Sequence, residues 1–126
     1  PNGLGVIEHR MDLLYQGVLT GEITLQRWVE LCSTTPARLF GLQGRKGIIA
    51  PGADADIVIF NPETEHVLGA STHHMSIDYS VWESIKVQGQ SESVISRGSF
   101  VIRDRNLVGK PGHGEFLKRS LPEPLR

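Results

Sequence analysis

Apolar positions recur at helical spacing over residues 1–40 and afterwards in short β-branched runs, so the pattern predicts helices first and strands second. Ile7, Met11, Leu14 and Val18 fall four, three and four apart, the stripe of one helix face, which Gly17 and Gly21 loosen or end. Thr24 then offers an N-cap to a second amphipathic helix whose buried face is Leu25, Trp28, Val29 and Cys32. Thr35-Pro36 signals a third short helix, capped by the hydroxyl, with proline at the first helical position and Gly41 at its C-terminal stop. The glycine-rich stretch 44–52 with Pro51 reads as a linker into the β region, with the boundary near Arg45. Residues 55–60 form a strand closed by the turn pair Asn61-Pro62; residues 85–87 and 93–96 are two further short strands with Gly89 between them. Arg97-Gly98 turns the chain into a strand at 99–103, with Phe100 and Ile102 on one face and Val101 on the other. Asp104-Arg105-Asn106 turns it again into Leu107-Val108. Such short, regularly punctuated strands indicate a small antiparallel sheet or half-sandwich. The proline- and glycine-rich end is a tail that holds structure only if it packs against something.

Composition narrows the classes of partner. A chain of 126 residues can bury a core of its own. Thirteen basic residues nearly balance fourteen acidic ones, which leaves no field to draw in nucleic acid or an anionic membrane. A single cysteine, Cys32, cannot form an internal disulfide, and its place in a helical apolar stripe suggests a buried, inert thiol. No apolar run approaches the ~20 residues that span a bilayer, so the expected compartment is the cytoplasm. The opening Pro1-Asn2-Gly3 lacks an initiator methionine and resembles a loop interior, so a fragment of something longer is expected.

Candidate chemistry is sparse. His73 and His74 are adjacent, so in an extended segment their side chains point to opposite faces, unlike a chelating HxH pair; a structural or interface role is expected. His9, His66 and His113 are isolated and are expected to be surface or core histidines. Glu8 and Asp12 lie one helical turn apart and, with Arg10 between them, read as a solvated, salt-bridged face. No serine sits in a nucleophile elbow, and the glycines around Lys110-Pro111 do not have phosphate-loop spacing.

Two segments resemble the amidohydrolase superfamily where its catalytic barrel returns to a β-sandwich: residues 47–59 (Gly-Ile-Ile-Ala-Pro-Gly-Ala-Asp-Ala-Asp-Ile-Val-Ile) and residues 33–42 (Ser-Thr-Thr-Pro-Ala-Arg-Leu-Phe-Gly-Leu). Residues 2–10 (Asn-Gly-Leu-Gly-Val-Ile-Glu-His-Arg) and 72–79 (Thr-His-His-Met-Ser-Ile-Asp-Tyr) narrow it to the hydantoinase/dihydropyrimidinase family, with Ser96-Arg97-Gly98 and residues 109–112 completing the similarity. The turn at Asp104-Arg105-Asn106 departs from many relatives in lacking a glycine, and the opening loop has Leu4-Gly5-Val6 in place of their Gly-Pro-Gly. The resemblance implies an α/β fragment: the last helices of a TIM-like amidohydrolase barrel (1–45), part of a C-terminal β-sandwich (46–109) and a tail with oligomer contacts (110–126). It further implies a metal-dependent hydrolase that opens hydantoin or dihydropyrimidine rings to N-carbamoyl amino acids. Two divalent metal ions, zinc by preference, would activate the attacking hydroxide, and an aspartate would shuttle the proton. Every one of the family's ligands precedes the opening loop, so no metal ligand and no catalytic residue is expected in this chain, and the segment alone should be inactive. Asn2 matches the family's substrate-binding asparagine, whose backbone groups hydrogen-bond the cyclic imide. The implied partners are that ring substrate, the remainder of the parent chain and further copies in a homotetramer or dimer. The alternative is a non-catalytic dihydropyrimidinase-related assembly protein that kept the scaffold and lost the metals.

Overall fold

The structure, a computed structural model, describes residues 4–121. In chain order it contains α1 (Arg10–Leu19), α2 (Leu25–Val29), a π-helical turn (Glu30–Thr34), α3 (Thr35–Leu39), β1 (Ile57–Val67), β2 (Lys86–Ser96), β3 (Ser99–Arg103) and β4 (Asn106–Leu107). The strands form one sheet in the order β1-β2-β3-β4. The chain divides into two compact units, one comprising residues up to Ile23 with Phe60–Ser91 and the other Thr24–Ile59 with Glu92–Arg126.

In the first unit α1 presents a different face from the expected one. The helix begins at Arg10, so Ile7 precedes it and is 79% exposed, while Leu14 is also exposed. The buried residues are His9, Asp12 and Tyr15. Counting apolar residues alone misplaced the stripe, because polar side chains can line an inward face when they find partners there. Tyr15 meets Phe60 edge-on with ring centroids 4.8 Å apart. Leu68 is the most buried side chain at 1% exposure, and its backbone is held by Leu68 N–H to Ile85 O (2.9 Å) and Ser84 N–H to Leu68 O (2.9 Å).

Two expected strand ends are absent. β1 continues through Asn61-Pro62, whose turn tendency is met locally by Glu63 N–H donating to Asn61 Oδ1 at 3.0 Å. β1 is the outermost strand of the described sheet, the position in which proline is tolerated. The strands expected at 85–87 and 93–96 are one long strand, β2, which starts at Lys86 and in which Gly89 takes φ 92° rather than breaking the strand.

In the second unit Thr24 caps α2 as expected, its hydroxyl accepting from Arg27 N–H at 3.1 Å. Of the four residues assigned to that helix's buried face only Trp28 is buried; Leu25 and Val29 are exposed and Cys32 is half-buried. The third helix is not capped separately. The chain stays helical from Leu25 to Leu39, and Thr35 N–H bonds back five residues to Glu30 O. Widening one turn relieves the clash and missing donor that Pro36 would impose on a regular helix. Gly41, at φ 65°, stops α3: Gly41 N–H bonds Arg38 O (3.2 Å) and Leu42 N–H bonds Ala37 O (2.7 Å), a Schellman closure.

Arg97-Gly98 and Asp104-Arg105 both have positive φ at their two central residues, so each hairpin turns in the mirror-image form that matches strand twist. β2 and β3 pair antiparallel through Val94–Ile102 and Ile95–Phe100, with a bulge between, and β3 pairs β4 through Ile102–Leu107. Arg105, without the glycine of the first hairpin, holds φ 66°. Arg105→Gly is therefore expected to stabilise the protein by about 0.5–1 kcal/mol, read as a higher urea midpoint; a lower one would mean the turn carries no strain. The tail does pack. Arg97 bonds Glu115 and the His113 carbonyl, His113 Nε2 donates to Ser96 O at 3.0 Å, and Ser120 N–H bonds Gly41 O at 2.9 Å.

Much apolar surface is uncovered: Ile49, Phe116 and Leu121 are 82%, 92% and 89% exposed. Exposed apolar area on this scale drives association. The 126-residue chain by itself is expected to self-associate in sedimentation and light scattering. A monodisperse, cooperatively melting monomer would contradict this.

Candidate functional site

A group of titratable side chains lies in the first unit, where α1 and the two residues before it face the segments around residues 66, 73 and 74. Glu8, two residues before α1, and Asp12 and Gln16 on it follow one another at intervals of four. Asp12 is 6% exposed, and its Oδ2 lies 3.2 Å from His66 Nε2. Burial raises the Asp12 carboxyl from an ordinary 3.8 to about 6; a Ser91 backbone hydrogen bond acts downward and the Glu8 charge upward. The expected solvated carboxylate face is thus corrected. An imidazole and a backbone donor replace part of the water that Asp12 loses, while its buried Oδ1 has no hydrogen-bond partner among the described residues.

Gln16 makes a two-point contact with β2: its Nε2 donates to Gln88 O at 2.8 Å and its Oε1 accepts from Gln88 N–H at 3.2 Å. A cleft of about 500 Å³ opens here, lined by Gln16, Glu65, His66, Lys86 and Gln88 among others. Its lining includes neither hydroxyl nor thiol, so it offers no serine- or cysteine-type nucleophile.

The adjacent histidines serve different partners. His74 Nδ1 lies 2.7 Å from Glu8 Oε1, and His74 N–H donates to Glu8 Oε2 at 2.7 Å. His73 Nδ1 accepts from Met75 N–H at 3.1 Å, and its ring lies 5.9 Å, centroid to centroid, from that of His9. His9 is 4% exposed; burial pushes its imidazole below the ordinary range, with Glu8 acting upward and His73 downward. His113 is elsewhere, on the tail of the second unit. Asn2, the proposed substrate contact, lies outside the described residues.

Sequence reasoning missed the pairs Glu8–His74, Asp12–His66 and Gln16–Gln88. The four-residue interval from Glu8, just before α1, to Asp12 and Gln16 on it was the available signal; their partners, 54 to 72 residues away in sequence, gave none.

Among the described residues no group of three His, Cys, Asp or Glu side chains is placed to hold a metal ion. The metal pair implied by the sequence resemblance therefore does not fit these side chains, and they support no chemical step through it. Among the described residues no helix is long and apolar enough to cross a membrane.

The model of the amidohydrolase family matches residues 5–101. The chain belongs to the amidohydrolase family. This amidohydrolase chain is 50% identical over 120 residues to a D-hydantoinase of Streptomyces coelicolor, covering 95% of the chain and 26% of that protein. It is 52% identical over 121 residues to a D-hydantoinase of Geobacillus stearothermophilus, with the same coverage of 95% and 26%. Among solved structures, it matches dihydropyrimidinase from Brevibacillus agri with a TM-score of 0.95 and 44% identity, covering 99% of this chain and 27% of that one. The amidohydrolase chain thus spans about a quarter of the length of the curated relatives it matches.

Proposed function

We propose that the protein carrying this chain opens hydantoin or dihydropyrimidine rings to N-carbamoyl amino acids, and that the chain is the C-terminal part of that hydrolase. The observation that carries this reading is 52% identity to a D-hydantoinase across 95% of the chain. In this reading residues 1–45 end a TIM-like barrel, residues 46–109 belong to a β-sandwich and residues 110–126 make oligomer contacts in a cytoplasmic homotetramer or dimer. Exposed Phe116 and Leu121 suit that last role. Asn2 offers backbone groups to the ring, whose alternating N–H and C=O groups form a fixed pattern that a held loop can read. Two divalent metal ions, zinc by preference, would be held by residues outside this chain, and when bound would supply a hydroxide and polarise the amide carbonyl.

The test is to recover the complete reading frame and assay purified protein for ring opening of a hydantoin and a dihydropyrimidine, with and without chelator. Turnover that is lost on chelation and restored by zinc is expected. A complete protein that opens neither ring even when zinc is supplied would overturn the reading in favour of an assembly protein that kept only the scaffold.

A further inference from the structure

The tail of the second unit is fastened at two places. At the first, the Arg97 guanidinium donates to the His113 carbonyl and to the Glu115 carboxylate, and His113 Nε2 donates to Ser96 O at 3.0 Å. At the second, Gly41 O accepts from both the backbone N–H and the hydroxyl of Ser120, each at 2.9 Å. This second place needs a glycine, since a Cβ on Gly41 would stand 2.1 Å from Ser120 O. Residues 116–120 share a groove of about 420 Å³ with Leu39 and Phe40 at the end of α3. Arg97 is strained where it stands. It holds φ 46° at the hairpin turn, in the left-handed region that most side chains disfavour, and a strained residue that persists points to a task for its side chain.

We propose that residues 113–120 are a two-catch strap at the end of α3, in which the Arg97 side chain is a salt-sensitive catch and the Gly41–Ser120 contact a neutral one. The strap needs nothing from the ring-opening reading. Its first catch works from a fixed base: Arg97 N–H donates to Asp56 Oδ1 at 2.8 Å, Gly98 N–H donates to Ala55 O at 3.0 Å, and Lys46 holds Asp56 in turn. From that base the planar guanidinium reaches a carbonyl and a carboxylate together, which a lysine ammonium does less well. The two catches are coupled through residues 116–119. While one holds, the other end of so short a tether stays near its partner and recloses quickly; once one opens, the other opens more often. The Arg97–Glu115 pair is partly exposed, so salt weakens it, whereas the Ser120 bonds to a carbonyl carry no net charge to screen. Release uncovers the remainder of Leu39 and Phe40, which are already half exposed.

The experiment uses the complete protein and reads hydrogen exchange over residues 113–120 by mass spectrometry. Arg97→Asn puts a residue that the turn accepts in place of the guanidinium. It should leave the urea midpoint close to that of the parent while speeding this exchange about tenfold. Arg97→Lys keeps the charge without the fork and should give a rise of about threefold. Glu115→Ala acts from the strap side, at an exposed position away from the turn, and should also give about threefold. Raising salt from about 0.1 M to about 1 M shortens the screening length from about 10 Å to about 3 Å. This should speed exchange in the parent severalfold and add nothing in Arg97→Asn. Trypsin should cut after the exposed Lys118 about tenfold faster in Arg97→Asn than in the parent. The strap is overturned if Arg97→Asn and Glu115→Ala both exchange at the parent rate, or if salt acts on Arg97→Asn as strongly as on the parent. Faster exchange confined to residues 113–115, with Ser120 unchanged, would overturn the coupling of the two catches.

Discussion

Replacing Gly89 by alanine is expected to destabilise the protein by roughly 2–4 kcal/mol, a large effect for one added methyl group. Two costs act together. Gly89 sits inside β2 at φ 92°, a conformation that a side chain disfavours by about 1–2 kcal/mol. The added Cβ would also stand 2.5 Å from Tyr15 Cδ1 and 2.8 Å from Phe60 Cζ. Those rings hold each other edge-on, and Tyr15 is only 8% exposed, so neither swings aside cheaply. Urea unfolding of parent and variant, followed by tryptophan fluorescence, gives the difference. In the double variant with Tyr15→Leu, trimming that ring should recover its share of the steric cost and leave the Phe60 clash and the backbone cost. A Gly89→Ala midpoint close to that of the parent would mean that β2 and α1 do not approach as described.

Asp12→Asn is expected to make the protein more stable above pH 6 and to leave stability little changed near pH 4. Burial raises the folded-state pKa of Asp12 from 3.8 to about 6, so the folded state binds its proton more tightly than the unfolded chain does. The stabilising contribution of that proton is complete below about pH 4 and is lost as pH rises through about 6. The difference of about two pKa units corresponds to about 3 kcal/mol. Asparagine carries no charge to desolvate and keeps an oxygen that can accept from His66 Nε2–H. Urea melts at intervals from pH 4 to pH 8 should therefore show the two proteins separating across this window, with the variant above. Parallel curves would mean that Asp12 titrates normally and is not enclosed.

The contrast between these two sites and the helix ends and hairpins shows how far local sequence reaches. Thr24, Gly41 and Arg97-Gly98 were readable because their signals act within a few residues: a hydroxyl caps amides three positions on, a glycine permits a left-handed stop, and a hairpin needs two positive-φ residues. Asn61-Pro62 misled because a turn tendency is weak beside the pairing of an 11-residue strand. Thr35-Pro36 misled for a similar reason: the helix widened by one turn and continued.

Local propensities and spacings, read from the residues alone, determined that helices precede strands, where α2 begins, where α3 stops and where the first hairpin turns. The quoted motifs by themselves indicated an amidohydrolase. Only the tertiary structure decided that α1 turns Asp12 and Tyr15 inward, that Gly89 must lack a side chain, and that the tail packs back onto Arg97 and Gly41. The division has a physical cause. Caps and turns are resolved by groups within one or two turns of backbone, whereas burial of a carboxylate or the docking of a tail depends on partners that the chain brings close only when it folds.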